Sequence, residues 1–160
     1  MQTLKHIIDK RIIKIQRLDS QTDYEFYSPN AIVLTLSDLD NNLILSIIND
    51  GISCDIKLMS DSDIENEFGL EFNEQILNDL RKDDELKYFL NEKITDFKIA
   101  EFNQSEINGE NFVIKQEKYA GIKIETENHN FLFYNNYGGW IEIDDNVVEL
   151  PNPDRWQWIN

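Results

Sequence analysis

The sequence predicts an α+β fold, antiparallel and β-rich, built as two tandem repeats of a short helix plus a β-meander with one or two helices between them. Three observations carry this expectation. Short blocks of alternating or continuous apolar residues are set off by Asn, Asp and Gly. The segment LKHIIDKRIIKI at 4–15 matches LKYFLNEKITDF at 86–97 without a gap, with Leu4/Leu86, Lys5/Lys87 and Ile12/Ile94 identical. A hairpin pattern that begins at Asn42 then recurs from Asn130.

In chain order, an amphipathic helix opens the first half, and strands follow near Arg11–Leu18, Ala31–Ser37, Leu43–Asn49 and Ile52–Leu58. The second half opens on a short helix over Asp83–Asn91, with strands near Ile94–Phe102, Gly121–Thr126, Asn130–Asn135 and Trp140–Asp144. IKIQRL and IKIET alternate apolar and polar residues, as half-buried antiparallel strands do. Tyr24–Tyr27 and Phe112–Lys118 read as further short strands. Asp40-Asn41-Asn42, Asn49-Asp50-Gly51, Asn128-His129-Asn130 and Tyr137-Gly138-Gly139 supply turn chemistry between them. Between the halves, Ile76, Leu77 and Leu80 recur at helical spacing. Asn73 stands as N-cap, Glu74 in the first turn and Arg81 and Lys82 near the end, which suits a helix dipole. In the tail, PNPDRWQWIN, Pro151 and Pro153 favour an extended chain, and Trp156 and Trp158 share one face to cap a sheet edge or the core. Residues 1–160 thus read as one domain, with half-repeats 1–60 and 86–150 joined by an acidic, helical segment 61–85.

Charge is the most informative bulk property. The chain has 31 acidic and 15 basic residues, a formal net charge of −16. Residues 1–17 are basic, whereas 18–80 contain a single base, Lys57, among many acids. Such a field repels nucleic acid and anionic membrane and speeds association with a basic partner. No apolar run approaches the ~20 residues of a membrane helix. The N-terminus lacks a small-residue cleavage site and does not read as a secretory signal. One cysteine, Cys54, excludes an internal disulfide and reads as an inert buried thiol; together these features suggest a cytoplasmic protein.

Catalytic patterns are missing. His6 reads as a partly buried packing residue and His129 as a solvated turn residue, neither beside a recognised nucleophile. No glycine loop cradles a phosphate, so no cofactor is expected. Asp61, Asp63 and Glu65 alternate like the first ligands of a calcium loop, but Asn66 and Phe72 occupy the positions that need Gly and Glu. Asp38, Asp40 and Asn42 also lack the glycine, so no metal site is expected. An enzyme is therefore not the expected class, and a binding protein is.

Two sets of residues are candidates for partner binding. Asp61, Asp63, Glu65, Glu67, Glu71 and Glu74 form a base-free acidic stretch interleaved with Ile64, Phe68, Leu70 and Phe72, combining steering charge with apolar anchors. In the aromatic hairpin FLFYNNYGGWIEI, the match to the first half sets Phe131, Phe133, Trp140 and Ile141 against Leu43, Leu45, Ile52 and Ser53, which predicts core packing for most of it. Tyr134, Asn136 and Tyr137 remain as the residues expected at the surface, with Tyr134 and Tyr137 as interface candidates. In its general features, and in the pattern I-x-I-E-x-(turn)-x-F-L-F-x-N-(turn)-G-W-I at Ile122–Ile141, the chain resembles the immunity proteins of bacterial toxin–immunity systems, including contact-dependent growth inhibition. The resemblance implies a cytoplasmic inhibitor that occludes a cognate toxin, commonly a basic nuclease. An acidic protein-interaction module without a toxin partner is the alternative.

Overall fold

The computed structural model describes residues 2–19, 28–69, 76–102, 119–144 and 156–159. Within them, β1 (Ile12–Asp19), β2 (Ala31–Leu36), β3 (Asn42–Ile47), β4 (Cys54–Met59) and β5 (Ile76–Asp79) form one antiparallel sheet, in the order β4-β3-β2-β1-β5. A second antiparallel sheet is built from β6 (Ile94–Phe102), β7 (Gly121–Thr126), β8 (Asn130–Asn135), β9 (Gly139–Ile143) and β10 (Trp156–Ile159), in the order β10-β6-β7-β8-β9.

The side-chain period of two sorts these strands onto faces. Ile32, Leu34, Leu43, Leu45 and Ile56 from the first sheet meet Ile122, Ile124, Phe131, Phe133 and Ile141 from the second in one shared core. The alternate residues Ala31, Val33 and Ile44 point to the outer face of the first sheet, beneath helix α1 (Asp61–Glu67). Leu132, Tyr134 and Trp156 do the same on the outer face of the second. Phe131 and Phe133 are fully buried, and each contributes about 1.5–3 kcal/mol by leaving water.

This is a mostly-β fold, which corrects the α+β expectation. The helices expected at the start of each half are short 3-10 segments, Gln2–Ile7 and Glu85–Phe89. The helix expected around Ile76, Leu77 and Leu80 is instead strand β5. Its residues complete the hydrogen bonding of β1, with Gln16 opposite Asp79 and Leu18 opposite Leu77. A short apolar run satisfies either period, and an open neighbouring strand decides for β. What the halves share is a strand order rather than a helix–strand unit. Tyr24–Tyr27, Phe112–Lys118, Asn73, Pro151 and Pro153 lie outside the described residues.

The two halves meet through reciprocal backbone bonds. Asp9 N–H donates to the Ile94 carbonyl (2.9 Å) and Asn91 N–H to the Ile12 carbonyl (2.8 Å). Ile12 N–H donates to the Glu92 carbonyl (3.0 Å) and Ile94 N–H to the Lys10 carbonyl (2.9 Å). Arg11 pairs with Lys93 in an antiparallel bridge between them. Asp9 and Asn91 both take φ 65°, which short polar side chains tolerate. A bulge follows in each first strand, between Ile12 and Lys14 and between Ile94 and Asp96. The matched segments thus sit about a local two-fold relation.

One interior position breaks that relation. Arg17 of β1 is fully buried, where its counterpart in β6 is Ile99. Its Nε donates to both carboxylate oxygens of Asp19 (3.1 and 3.0 Å), and its Nη1 donates to Asp84 Oδ2 (3.0 Å). Asn78 Nδ2 of β5 also donates to Asp19, at 2.9 Å. Asp84 caps the 3-10 turn through Leu86 N–H, so the buried ions tie β1, β5 and the start of the second half together.

Candidate functional site

Four of the acidic candidates sit on α1, inside the segment 61–85 expected to be acidic and helical but ahead of the helix start expected at Asn73. Ser60 caps it by accepting from Asp63 N–H, and Gly69 follows its end at φ 63°, a conformation glycine adopts freely. Ile64 is the helix's buried residue and packs on Leu18, Val33 and Met59, with Phe68 beside it. That single apolar contact turns Asp61, Asp63, Glu65 and Glu67 outward, and all four are exposed.

Their local partners differ. Asp61 accepts from Asn42 Nδ2 (2.7 Å) and Asp63 from Ser60 Oγ (2.8 Å), both fixing the first turn. Glu67, at the disfavoured carboxylate end of the helix dipole, is answered by Lys57 Nζ at 2.7 Å, which also reaches Asp55 at 2.8 Å. Burial opposes the Lys57 charge, but the hydrogen bonds to Asp55 and Glu67 outweigh it and raise its pKa. Glu71 and Glu74 lie outside the described residues.

The aromatic candidates separate. Tyr134 is buried on the outer face of the second sheet, edge-on to Trp156 at 5.6 Å, which corrects its expected exposure. Its hydroxyl donates to Glu142 (3.1 Å). The reason is legible after the fact: its counterpart Ser46 is a buried polar residue, so a polar match did not signify surface. Tyr137, by contrast, is 87% exposed.

Tyr137 stands where two turns lock together. The β3–β4 turn spans Ile48–Ser53 and the β8–β9 turn Asn136–Gly138. Asn135 Nδ2 donates to the carbonyls of Ile48 and Ser53, both at 2.9 Å, and Asn135 Oδ1 accepts from Gly138 N–H. Tyr137 N–H donates to the Gly51 carbonyl at 2.8 Å. Asp50 holds the other turn by accepting from Ile52 and Ser53 N–H. A Cβ on Gly139 would lie 1.7 Å from the Pro29 carbonyl oxygen, so only glycine fits there.

Unequal turn lengths also correct the sequence match in this region. Ser46 pairs with Asp55, and the equivalent Tyr134 pairs with Trp140. Trp140 is therefore the counterpart of Asp55 rather than Ile52, and it lies 42% exposed instead of in the core. Its indole N–H donates to the Asn136 carbonyl (3.2 Å). Ile141 does enter the core, as the counterpart of Ile56.

The histidines also differ from expectation. His6 is exposed. His129 is half-buried: Nδ1 lies 2.7 Å from Asp144 Oδ2, and the ring stacks on Tyr88 at 5.6 Å. Asp144 also accepts from Asn130 N–H, so the pair fastens the β7–β8 turn to the end of β9. Among the described residues, no three His, Cys, Asp or Glu side chains gather to hold a metal ion. Cys54 is buried, and desolvation pushes its thiol pKa up. No described helix is long and apolar enough to cross a membrane. What this arrangement offers is contact chemistry: fixed carboxylates on one helix, and exposed rings on a rigid pair of turns. The chain matches no family model, no curated protein and no solved structure.

Proposed function

We propose that this chain is an immunity protein that binds a cognate basic bacterial toxin, of nuclease type, in the cytoplasm and neutralises it by occlusion. The supporting observation is α1, which holds Asp61, Asp63, Glu65 and Glu67 on a single buried anchor, Ile64, with all four carboxylates facing water. A nuclease must present cations to substrate phosphates. Fixed carboxylates take the place of those phosphates, or cover the approach to them, while a net charge of −16 speeds encounter. No catalytic step, cofactor or metal enters this reading, and the field disfavours nucleic acid and anionic membrane as partners.

Co-expression tests it. The product of the adjacent upstream gene is produced alone and together with this chain in the native host. The expected result is growth arrest alone, rescue by co-expression, and weakened rescue when Asp61, Asp63, Glu65 and Glu67 are replaced by their amides. A product that is harmless, or toxic but not rescued, contradicts the proposal and leaves an acidic interaction module without a toxin partner.

A further inference from the structure

We infer that the paired turns, rather than α1, form the energetic centre of the interface, and that Tyr137, Trp140 and Ile52 receive an arginine- or lysine-bearing segment of the partner. This rests on the basic-partner reading above and deepens it. Seven large hydrophobic side chains are exposed among the described residues, and these three belong to the two interlocked turns or the strand leaving them. The Tyr137 ring lies against Gly51, 3.0 Å from where a Cβ would stand, and Ile52 follows Gly51 in the same turn. Trp140 is fixed by its hydrogen bond to the carbonyl of the residue preceding Tyr137.

Backbone strain makes the placement more pointed. Tyr137 takes φ 55°, a region that bulky side chains rarely enter. The neighbouring turn residues Gly51 and Gly138 show that glycine is the easy solution at positive φ. A tyrosine held there, with its ring almost wholly in solvent, gains nothing for the core. It presents an aromatic face on a backbone held by the paired turns, and a tyrosine has few rotamers to lose on binding, the property of an interface hot spot.

Charge selects the occupant. Both turns come from stretches without a single Lys or Arg, 18–56 and 124–154. Asp50 lies in one turn, and Glu142 follows Trp140 on the same face of β9. Aromatic faces bordered by carboxylates attract a guanidinium or ammonium group through cation–π and ionic contact together. A neutral glycan would also stack on such rings, but would derive nothing from the carboxylates of Asp50 and Glu142.

The test titrates the 15N-labelled full chain with a short alternating Arg-Gly peptide, its Glu-Gly counterpart and cellohexaose, and follows amide shifts. The Arg-Gly peptide is expected to shift Asp50–Ser53 and Asn136–Trp140. The double variant Tyr137→Ala, Trp140→Ala is expected to weaken that binding by about tenfold or more. Tyr137→Gly is expected to weaken binding while leaving Tm unchanged or higher, separating contact from folding. Shifts confined to α1 would overturn this inference and leave the proposed function standing. Shifts from cellohexaose in place of the peptide would reassign the patch to a glycan. No shift from the Arg-Gly peptide anywhere would overturn the inference and remove the electrostatic support for the function as well.

Discussion

Arg17 shows how much of the molecule rests on single side chains. It has no exposure, and two carboxylates share its guanidinium within the interior. Removing it strands Asp19 and Asp84 in a medium that cannot solvate them. Arg17→Met should therefore cost about 3–5 kcal/mol in urea unfolding, and adding Asp19→Asn and Asp84→Asn should recover much of that loss. A small cost for the single variant would show that the ions are hydrated. At the surface, Glu92 behaves differently. Burial would raise its pKa, but the Asn128 side-chain and backbone donors outweigh this and hold it below the ordinary 4.5. A depressed carboxylate contributes stability above its unfolded pKa and loses it as pH falls through the folded value. Glu92→Gln should accordingly be less stable than the parent near pH 7, with the gap closing in the acid limb below pH 4.5. A gap that persists in acid would assign the effect to packing.

The strands were legible in the sequence because alternating runs such as IKIET, and short apolar runs such as LILSI and FLFYN bounded by Asn and Gly turns, fit strands covered on one or both faces. The order of elements was readable for the same reason. Elements decided by neighbours were not. Ile76–Asp79 carries helical spacing and becomes a strand because β1 lacks a partner on that side, and no local signal reports that vacancy. Conversely, α1 has only one buried residue, Ile64, too few to give a helical stripe, although Ser60 with Asp63 was a readable cap. That thin attachment gives a prediction. Ile64→Ala should cost about 2–5 kcal/mol in chemical denaturation and release the carboxylate face, measurable as faster amide exchange in 61–67. Unchanged exchange would mean that the hydrogen bonds from Asn42 and Ser60 hold α1 unaided.

At the scale of the whole molecule, two five-stranded sheets close over one core and leave function to what projects from them. The acidic character of the candidate surface was readable from composition. Its division was not: the partner-binding candidates became an exposed helix face, a buried Tyr134 and a solvent-facing Tyr137. Trp140 escaped notice because a difference in turn length shifts the match between halves, which sequence identity at this level does not register. On the proposed reading, the chain captures a basic protein by electrostatic steering onto an aromatic centre. That capture is tested most directly by calorimetric titration of the intact chain with the adjacent upstream gene product at 50 mM and 500 mM salt, roughly spanning Debye lengths above and below the physiological ~8 Å. The expected result is tight binding at low salt, a Kd raised by about tenfold or more at high salt, and a residual affinity abolished by Tyr137→Ala with Trp140→Ala. Binding indifferent to both salt and the aromatic pair, or none at all, would contradict it.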